Sequence, residues 1–343
     1  MGRFDARVQG YRMPAEWETQ HTTWLGWPML ADREELWGEH YAQVVAEFAL
    51  TARTIARYQR CVVTAHHSLA AQARELCGPT VTVLPVAAED NWVRDCGPIF
   101  LQGKGGELAA AAFRFNAWGN KYQPYDGCQQ LAQDIARHAG ATLFNSDMIL
   151  EGGSFYVDGE GTLLTTESCL LHPNRNPGLS RADIEEELGR MLGIRKVIWL
   201  PGNPMEVETN GHVDGIASFV APGRVLCQGA TPDQGDYYYI LRENRRALEL
   251  ATDARGRRFS FLELPSPQVT QRYDSERYCD CYVNYILANG AVISTAFGVA
   301  EDDAARAVFA QAFPGREVVL LPVTAISIGG GSLHCSTQQQ PAV

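Results

Sequence analysis

One pattern recurs five times in this chain: an amphipathic helix, a glycine near its end, and a short strand rich in leucine or β-branched residues. The segments read LCGPTVTVLP (76–85), HAGATLFNSD (138–147), LGIRKVIWLP (192–201), ARGRRFSFLELP (254–265) and FPGREVVLLP (313–322). Four close on Leu-Pro, with prolines at 85, 201, 265 and 322, and Leu143 falls midway across the widest gap. The period is therefore about 60 residues, one ββαβ-like unit. Five such units close most simply into a ring, which makes residues 1–343 a single domain of five pseudo-repeats. Ordinary α/β proteins also produce helix–glycine–strand units, so the even spacing carries this expectation.

Local signals agree with the pattern. Ser180 with Asp183 three residues on forms a capping-box signature, and Ile184, Leu188, Met191 and Leu192 follow as a helical stripe. Gly193 is the expected stop. YYYILRENRRALEL and EDDAARAVFAQAFPG show the same helical period. VNYILANGAVIST (283–295) reads as a hairpin turning at Asn289-Gly290.

Composition narrows the partners. The formal charge is −11 with 45% hydrophobic residues, which argues against nucleic acid or an anionic membrane as a ligand. No apolar run reaches membrane-spanning length, and MGRFDARVQG lacks a signal-peptide core. Nine scattered cysteines, an odd number, read as reduced thiols in a cytoplasmic protein. Only Cys279 and Cys281 are close, with no second pair at ligand spacing, so no metal is expected.

The repeat becomes chemically informative just beyond its strands. Asp95 follows Pro85, Glu151 follows Leu143, His212 and Asp214 follow Pro201, and Cys335 follows Pro322, each at a similar distance and beside glycines. Equivalent positions of a ring converge on its axis, so these five side chains are expected around one central pocket. Crowding there accounts for Gly329, Gly330 and Gly331, because an axis filled with backbone excludes Cβ atoms. Taken singly, each residue has an ordinary explanation: a salt-bridged aspartate, a turn-capping glutamate, a core histidine, an inert thiol. Taken together they suggest a reaction. Cys335 is the strong nucleophile, yet three carboxylates would raise its pKa unless the ligand brings positive charge. A guanidinium, planar and rich in N–H donors, suits two carboxylates and offers an electrophilic carbon.

The stretches around these residues resemble the agmatine deiminase family, within the wider group that includes bacterial-type peptidylarginine deiminases. The similar segments are YRMPAEWETQHTTWLGWP (11–28), NWVRDCGPIF, FNAWG (115–119), ILEGGSFYVDGEGTLLTTESCLLHPNRNP (149–177), GHVDG, YVNYILANG and GGGSLHCSTQQQP. The resemblance implies the five-bladed α/β propeller, or pentein fold, of guanidine-modifying enzymes. It also implies hydrolysis of agmatine to N-carbamoylputrescine and ammonia, in polyamine synthesis, without metal or organic cofactor. On this likeness Cys335 is the nucleophile, His212 the acid and base, Asp95 and Asp214 the grip on the guanidinium, and Glu151 the group that orients His212. Trp92, Trp118, Asn210 and Gly330 are candidates for substrate contacts. The family's tendency to assemble leaves room for a homo-oligomer.

Some positions depart from the family's usual pattern. Asn210 stands where an acidic residue is common, Gly215 where a polar side chain is common, and 265–281 is divergent. Losing a carboxylate at 210 would weaken selection for a second positive charge, so the expected substrate is agmatine or a related alkylguanidine. Three alternatives remain: an amidinotransferase using the same cysteine, a deiminase of peptidyl arginine or another arginine-derived metabolite, and a non-catalytic propeller that binds cations.

Overall fold

An antiparallel strand pair, a helix, and a third strand returning parallel to the second: this step builds all five sheets found among the described residues. The computed structural model describes residues 4–29, 34–270, 272–273 and 275–343. The divergent stretch 265–281 lies within them except for 271 and 274. A parallel return needs a crossover, and an amphipathic helix provides it while covering the sheet. Asp126–Ala139 shows why: Cys128, Leu131, Ala132, Ile135 and Ala136 form one buried stripe, and Gly140 ends the helix at φ +69°.

Four sheets follow in chain order. They are Ile99–Gly103, Leu108–Arg114 and Thr142–Ile149; Phe155–Val157, Thr162–Thr166 and Lys196–Leu200; Ala217–Ala221, Arg224–Gln228 and Ser260–Leu264; and Ile286–Ala288, Ala291–Thr295 and Glu317–Leu321. The first also gains Tyr11–Arg12 at its edge. The fifth joins the two ends of the chain. Thr337–Pro341 pairs antiparallel with Gln20–Gly26, which continues in parallel to Arg60–His66 and Thr82–Val86. Its central strand Arg60–His66 carries five consecutive buried residues, as a strand covered on both faces requires.

Most local expectations are met. Ser180 accepts from the backbone of Asp183 at 3.3 Å, the Asp183 carboxylate accepts from Ser180 N–H at 2.9 Å, and Gly193 ends the helix at φ +76°. Ala288 faces Ala291 across the Asn289-Gly290 turn. Two details of the repeat differ. In the closing sheet the topological third strand is Arg60–His66, and Thr82–Val86 is an extra fourth strand at the edge, where Pro85 costs no interior ladder bond. In the fourth unit Gly256 does not end the helix, which stops at Leu250; it turns a small bridge between Thr252 and Arg258 before the strand. No helix among the described residues is long and apolar enough to cross a membrane.

The helix Tyr41–Ile55 buttresses the segment leading to the terminal glycines. Buried Glu47 accepts from the backbone N–H of Ile326 at 3.0 Å and from Gln43 at 2.9 Å. Burial outweighs these bonds and pushes its carboxyl up to about 7 from an ordinary 4.5. Between those values the folded state holds a proton that the unfolded chain has released, so stability falls as pH rises through that window. Glu47→Gln should therefore raise stability at pH 8 by ~1–3 kcal/mol, with the gain vanishing near pH 4.5. Melting temperatures at the two pH values check this.

Candidate active site

The loops carrying Asp95, Glu151 and His212 meet around Gly153, and Cys335 joins them through Asp214. A Cβ built at Gly153 would lie 2.7 Å from His212 Nδ1, 2.9 Å from Asp214 Oδ2 and 2.9 Å from Asp95 Oδ1. Only hydrogen fits, so glycine lets three functional side chains approach one point. Its backbone N–H also donates to Asp95 Oδ1 at 2.9 Å. All five reactive residues of the repeat are thus buried in one region, and the expected glycine crowding extends to the terminal run. A Cβ at Gly331 would come 3.1 Å from Cys335 Sγ and 2.8 Å from Trp92, and one at Gly329 would overlap Trp37.

Each carboxylate has its own support. Asp95 Oδ2 accepts from the Trp118 indole N–H at 2.9 Å. Trp118 is aimed there by an unusual backbone, φ +54°, within a run from Ala117 to Asn120 that is left-handed throughout. Asn116 steadies that run by accepting from Gly119 N–H at 2.9 Å. Glu151 Oε1 accepts from Arg175 Nε at 2.6 Å, a pair with no exposed surface on either side chain. Asp214 Oδ2 meets His334 Nδ1 at 2.9 Å and Cys335 Sγ at 3.4 Å. His334 Nε2 in turn meets Glu16 Oε1 at 2.9 Å, and Arg94 reaches the same oxygen at 3.2 Å. Charge alternates along this buried chain, from Arg94 through Glu16 and His334 to Asp214.

The electrostatics follow. Burial opposes ionisation of Asp214 and Glu151, yet His334 and Arg175 hold their carboxyls below the usual range. Asp95 has no such cation; burial pushes it up against the pull of His212, and Asp214 and Glu151 add to the push. Burial also opposes a charged His212, but Asp95, Cys169 and Glu151 raise it well above an ordinary histidine. Its Nδ1 stands 3.8 Å from Asp95 and its Nε2 3.9 Å from Glu151. Both ring nitrogens are buried and stand beyond hydrogen-bond distance of these carboxylates. Burial, then Asp214 and Asp95, push the Cys335 thiol well above its ordinary value. The resting nucleophile is a thiol, as burial beside Asp214 and Asp95 demands.

Cys335 opens onto a cavity of about 380 Å³ walled by Trp92, Trp118, Tyr122, Asp95 and Gly330. Its other carboxylate is Glu208, held by the Tyr122 hydroxyl and by Arg277 at 3.0 Å. Asn210 does not line it. Its side chain, at φ +65°, accepts from Arg175 Nη1 at 2.7 Å and from Asn174 at 3.2 Å, behind Glu151. The unit without an ionisable residue supplies Asn284 instead, which donates to Cys335 Sγ at 3.2 Å and accepts from His334 N–H at 3.1 Å. Sequence reasoning passed over Asn284, Arg175, His334, Glu16 and Arg94. Their signal was present, since each lies inside one of the similar segments.

A family model for the Porphyromonas-type peptidyl-arginine deiminases matches residues 12–341. The chain belongs to that family. Agmatine deiminase of Pseudomonas aeruginosa (strain LESB58) is 39% identical over 360 residues, covering 98% of this chain and 97% of the relative. The solved agmatine deiminase of Enterococcus faecalis superposes with a TM-score of 0.95 at 32% identity, covering 100% of this chain and 98% of that one. The fold extends further: DDAH from Pseudomonas aeruginosa, 13% identical, matches with a TM-score of 0.53 over 94% of this chain and 99% of its own. The expected family and the α/β pentein fold are both borne out.

Within the family member described here, the Arg175–Glu151 pair is the most deeply buried ion pair at the site. Removing one partner strands the other charge without solvent. Arg175→Met should cost ~3–5 kcal/mol of stability, read as a fall in denaturant midpoint. Glu151→Gln in the same background should recover part of it, since the stranded charge is then gone.

Proposed function

We propose that this chain, acting as one catalytic unit, hydrolyses the guanidine of agmatine to N-carbamoylputrescine and ammonia through a covalent Cys335 intermediate. The observation that carries this reading is a buried thiol in contact with Asp214 and raised by both Asp214 and Asp95, on a cavity that Asp95 and two tryptophans wall. A guanidinium placed between the two carboxylates completes the charge balance and brings its carbon to Cys335. The names of the relatives agree with that substrate. Glu208, paired with Arg277, is the carboxylate on the cavity wall nearest in kind to what the second cation of agmatine needs, whereas Asn210 is turned to Arg175.

The steps follow from the electrostatics. Substrate charge lowers the Cys335 pKa, the thiol passes its proton to solvent, and the thiolate adds to the guanidinium carbon. Protonated His212 gives its proton to one terminal nitrogen, which leaves as ammonia, and the remaining amidino group stays on sulfur. Neutral His212 then takes a proton from water, the hydroxide adds to the same carbon, and the thiolate departs as the urea forms. Asp95 and Asp214 hold the planar N–H groups throughout. Arg175 and Glu151 keep His212 poised, and Trp92 and Trp118 exclude bulk water.

Ammonia release from agmatine, free arginine, a blocked arginine peptide and simple alkylguanidines tests the substrate. Agmatine should be turned over best, and Cys335→Ser should lose at least ~10³-fold in rate. Turnover that survives Cys335→Ser would sink the covalent route.

Thiol reactivity tests the charge argument independently. In the free enzyme a neutral alkylating reagent should react with Cys335 only as pH rises above 9, because the thiolate is present only near and above the raised pKa. A cationic amidine reagent should modify it faster at neutral pH, since the reagent supplies the missing charge. Equal pH profiles for the two would contradict the account.

A further inference from the structure

Two cavities meet at Cys335. One is the aromatic cavity already described. The other, about 1430 Å³, reaches the sulfur from the side of His212, Asp214 and Asn284 and runs past Gly215. Glu208, Thr209 and Gly330 stand on the boundary between them. The second cavity has no place in the mechanism so far.

The proposed reaction creates a need for it, and the inference rests on that reading. The first bond broken joins carbon to a terminal nitrogen, so the alkyl arm stays attached to the amidino group until the last step. That arm fills the aromatic cavity between Trp92 and Trp118. Ammonia must nevertheless leave and water must arrive while the arm remains. We propose that the second cavity is the passage for this exchange: ammonia outward, water inward, and small primary amines when they are supplied. His212 lines this cavity and not the aromatic one. Both proton transfers, to the departing nitrogen and from the entering water, therefore occur at the mouth of the passage.

Gly215 keeps the passage wide. A Cβ at this position would meet no heavy atom within 4 Å, and its backbone is not left-handed, so a side chain fits without strain. It would stand in the opening beside Asp214.

Substitution at Gly215 makes the test. In Gly215→Leu, kcat should fall ~tenfold or more and KM should fall with it, because exchange on the covalent enzyme becomes limiting. Intact mass after rapid acid quench should then show the amidino-enzyme accumulating relative to wild type. Methylamine offers a second readout. Wild type should form an N-methyl, N′-alkyl guanidine, sulfur leaving the amidino carbon as the amine nitrogen bonds to it, and Gly215→Leu should suppress that product. Gly215→Val serves if the leucine variant folds poorly, with the same signs and smaller shifts. Unchanged kcat and no accumulated adduct would overturn the passage alone, provided wild type shows Cys335-dependent turnover. A raised KM with normal kcat would also overturn it, marking the cavity as a substrate entrance. Absence of Cys335-dependent turnover in wild type would remove the functional reading and the passage together.

Discussion

The ion pairs behind the reactive groups govern the site. Buried carboxylates normally take up a proton, because charge in a low-dielectric interior lacks the solvation that water provides. Here Arg175 keeps Glu151 ionised, and His334, backed by Glu16 and Arg94, keeps Asp214 ionised. Arg175 stands behind Glu151, while His334 shares Asp214 Oδ2 with Cys335 Sγ and leaves the rest of that carboxylate free. The face turned to the cavity thus keeps its negative character, and the complementary positive charge must come from whatever binds there. A site of this kind recognises a cation by what it lacks.

The same pairs explain why the two chain ends are tied together. Glu16 precedes the strand Gln20–Gly26, while His334 and Cys335 precede Thr337–Pro341, and these strands pair in one sheet. Trp24 donates to Gln340 at 3.2 Å and Gln338 to the carbonyl of Pro98 at 2.7 Å, so the glutamines of the terminal run hold the closing strand. Sheet register at that seam sets where His334 lies relative to Glu16. A slip of one residue would turn the side chains to the opposite face and break the chain of charges. Closure of the fold and ionisation of the site are one structural problem.

How much of this could be read from residues alone depended on the kind of information involved. The repeat was legible because helix stops, hairpin turns and strand composition are local, and the positions of Asp95, Glu151, His212, Asp214 and Cys335 followed from asking what succeeds each strand. Arg175, Glu16 and Arg94 lie in segments that resemble the family, yet their roles were not legible, because a charged residue looks the same in sequence whether it faces solvent or a buried partner far along the chain. Asn284 was missed for a different reason: the search was for ionisable groups, and its contribution is an amide that can both donate to sulfur and accept from backbone. Asn210 shows the converse. The family resemblance made it a candidate substrate contact, but its left-handed backbone turns the side chain toward Arg175.

The silent thiol is the consequence that links these parts. A cysteine kept neutral by burial and by Asp214 and Asp95 resists adventitious alkylation and oxidation, since both require thiolate. The carboxylates that suppress it are the ones that bind the guanidinium, so recognition and activation cannot be separated. A neutral molecule of the right shape would fill the cavity without raising the thiolate fraction, and a cation of the wrong shape would not bridge the two carboxylates. Selectivity in such a site is expressed in the chemical step as well as in binding, because only a ligand that cancels both charges produces the nucleophile.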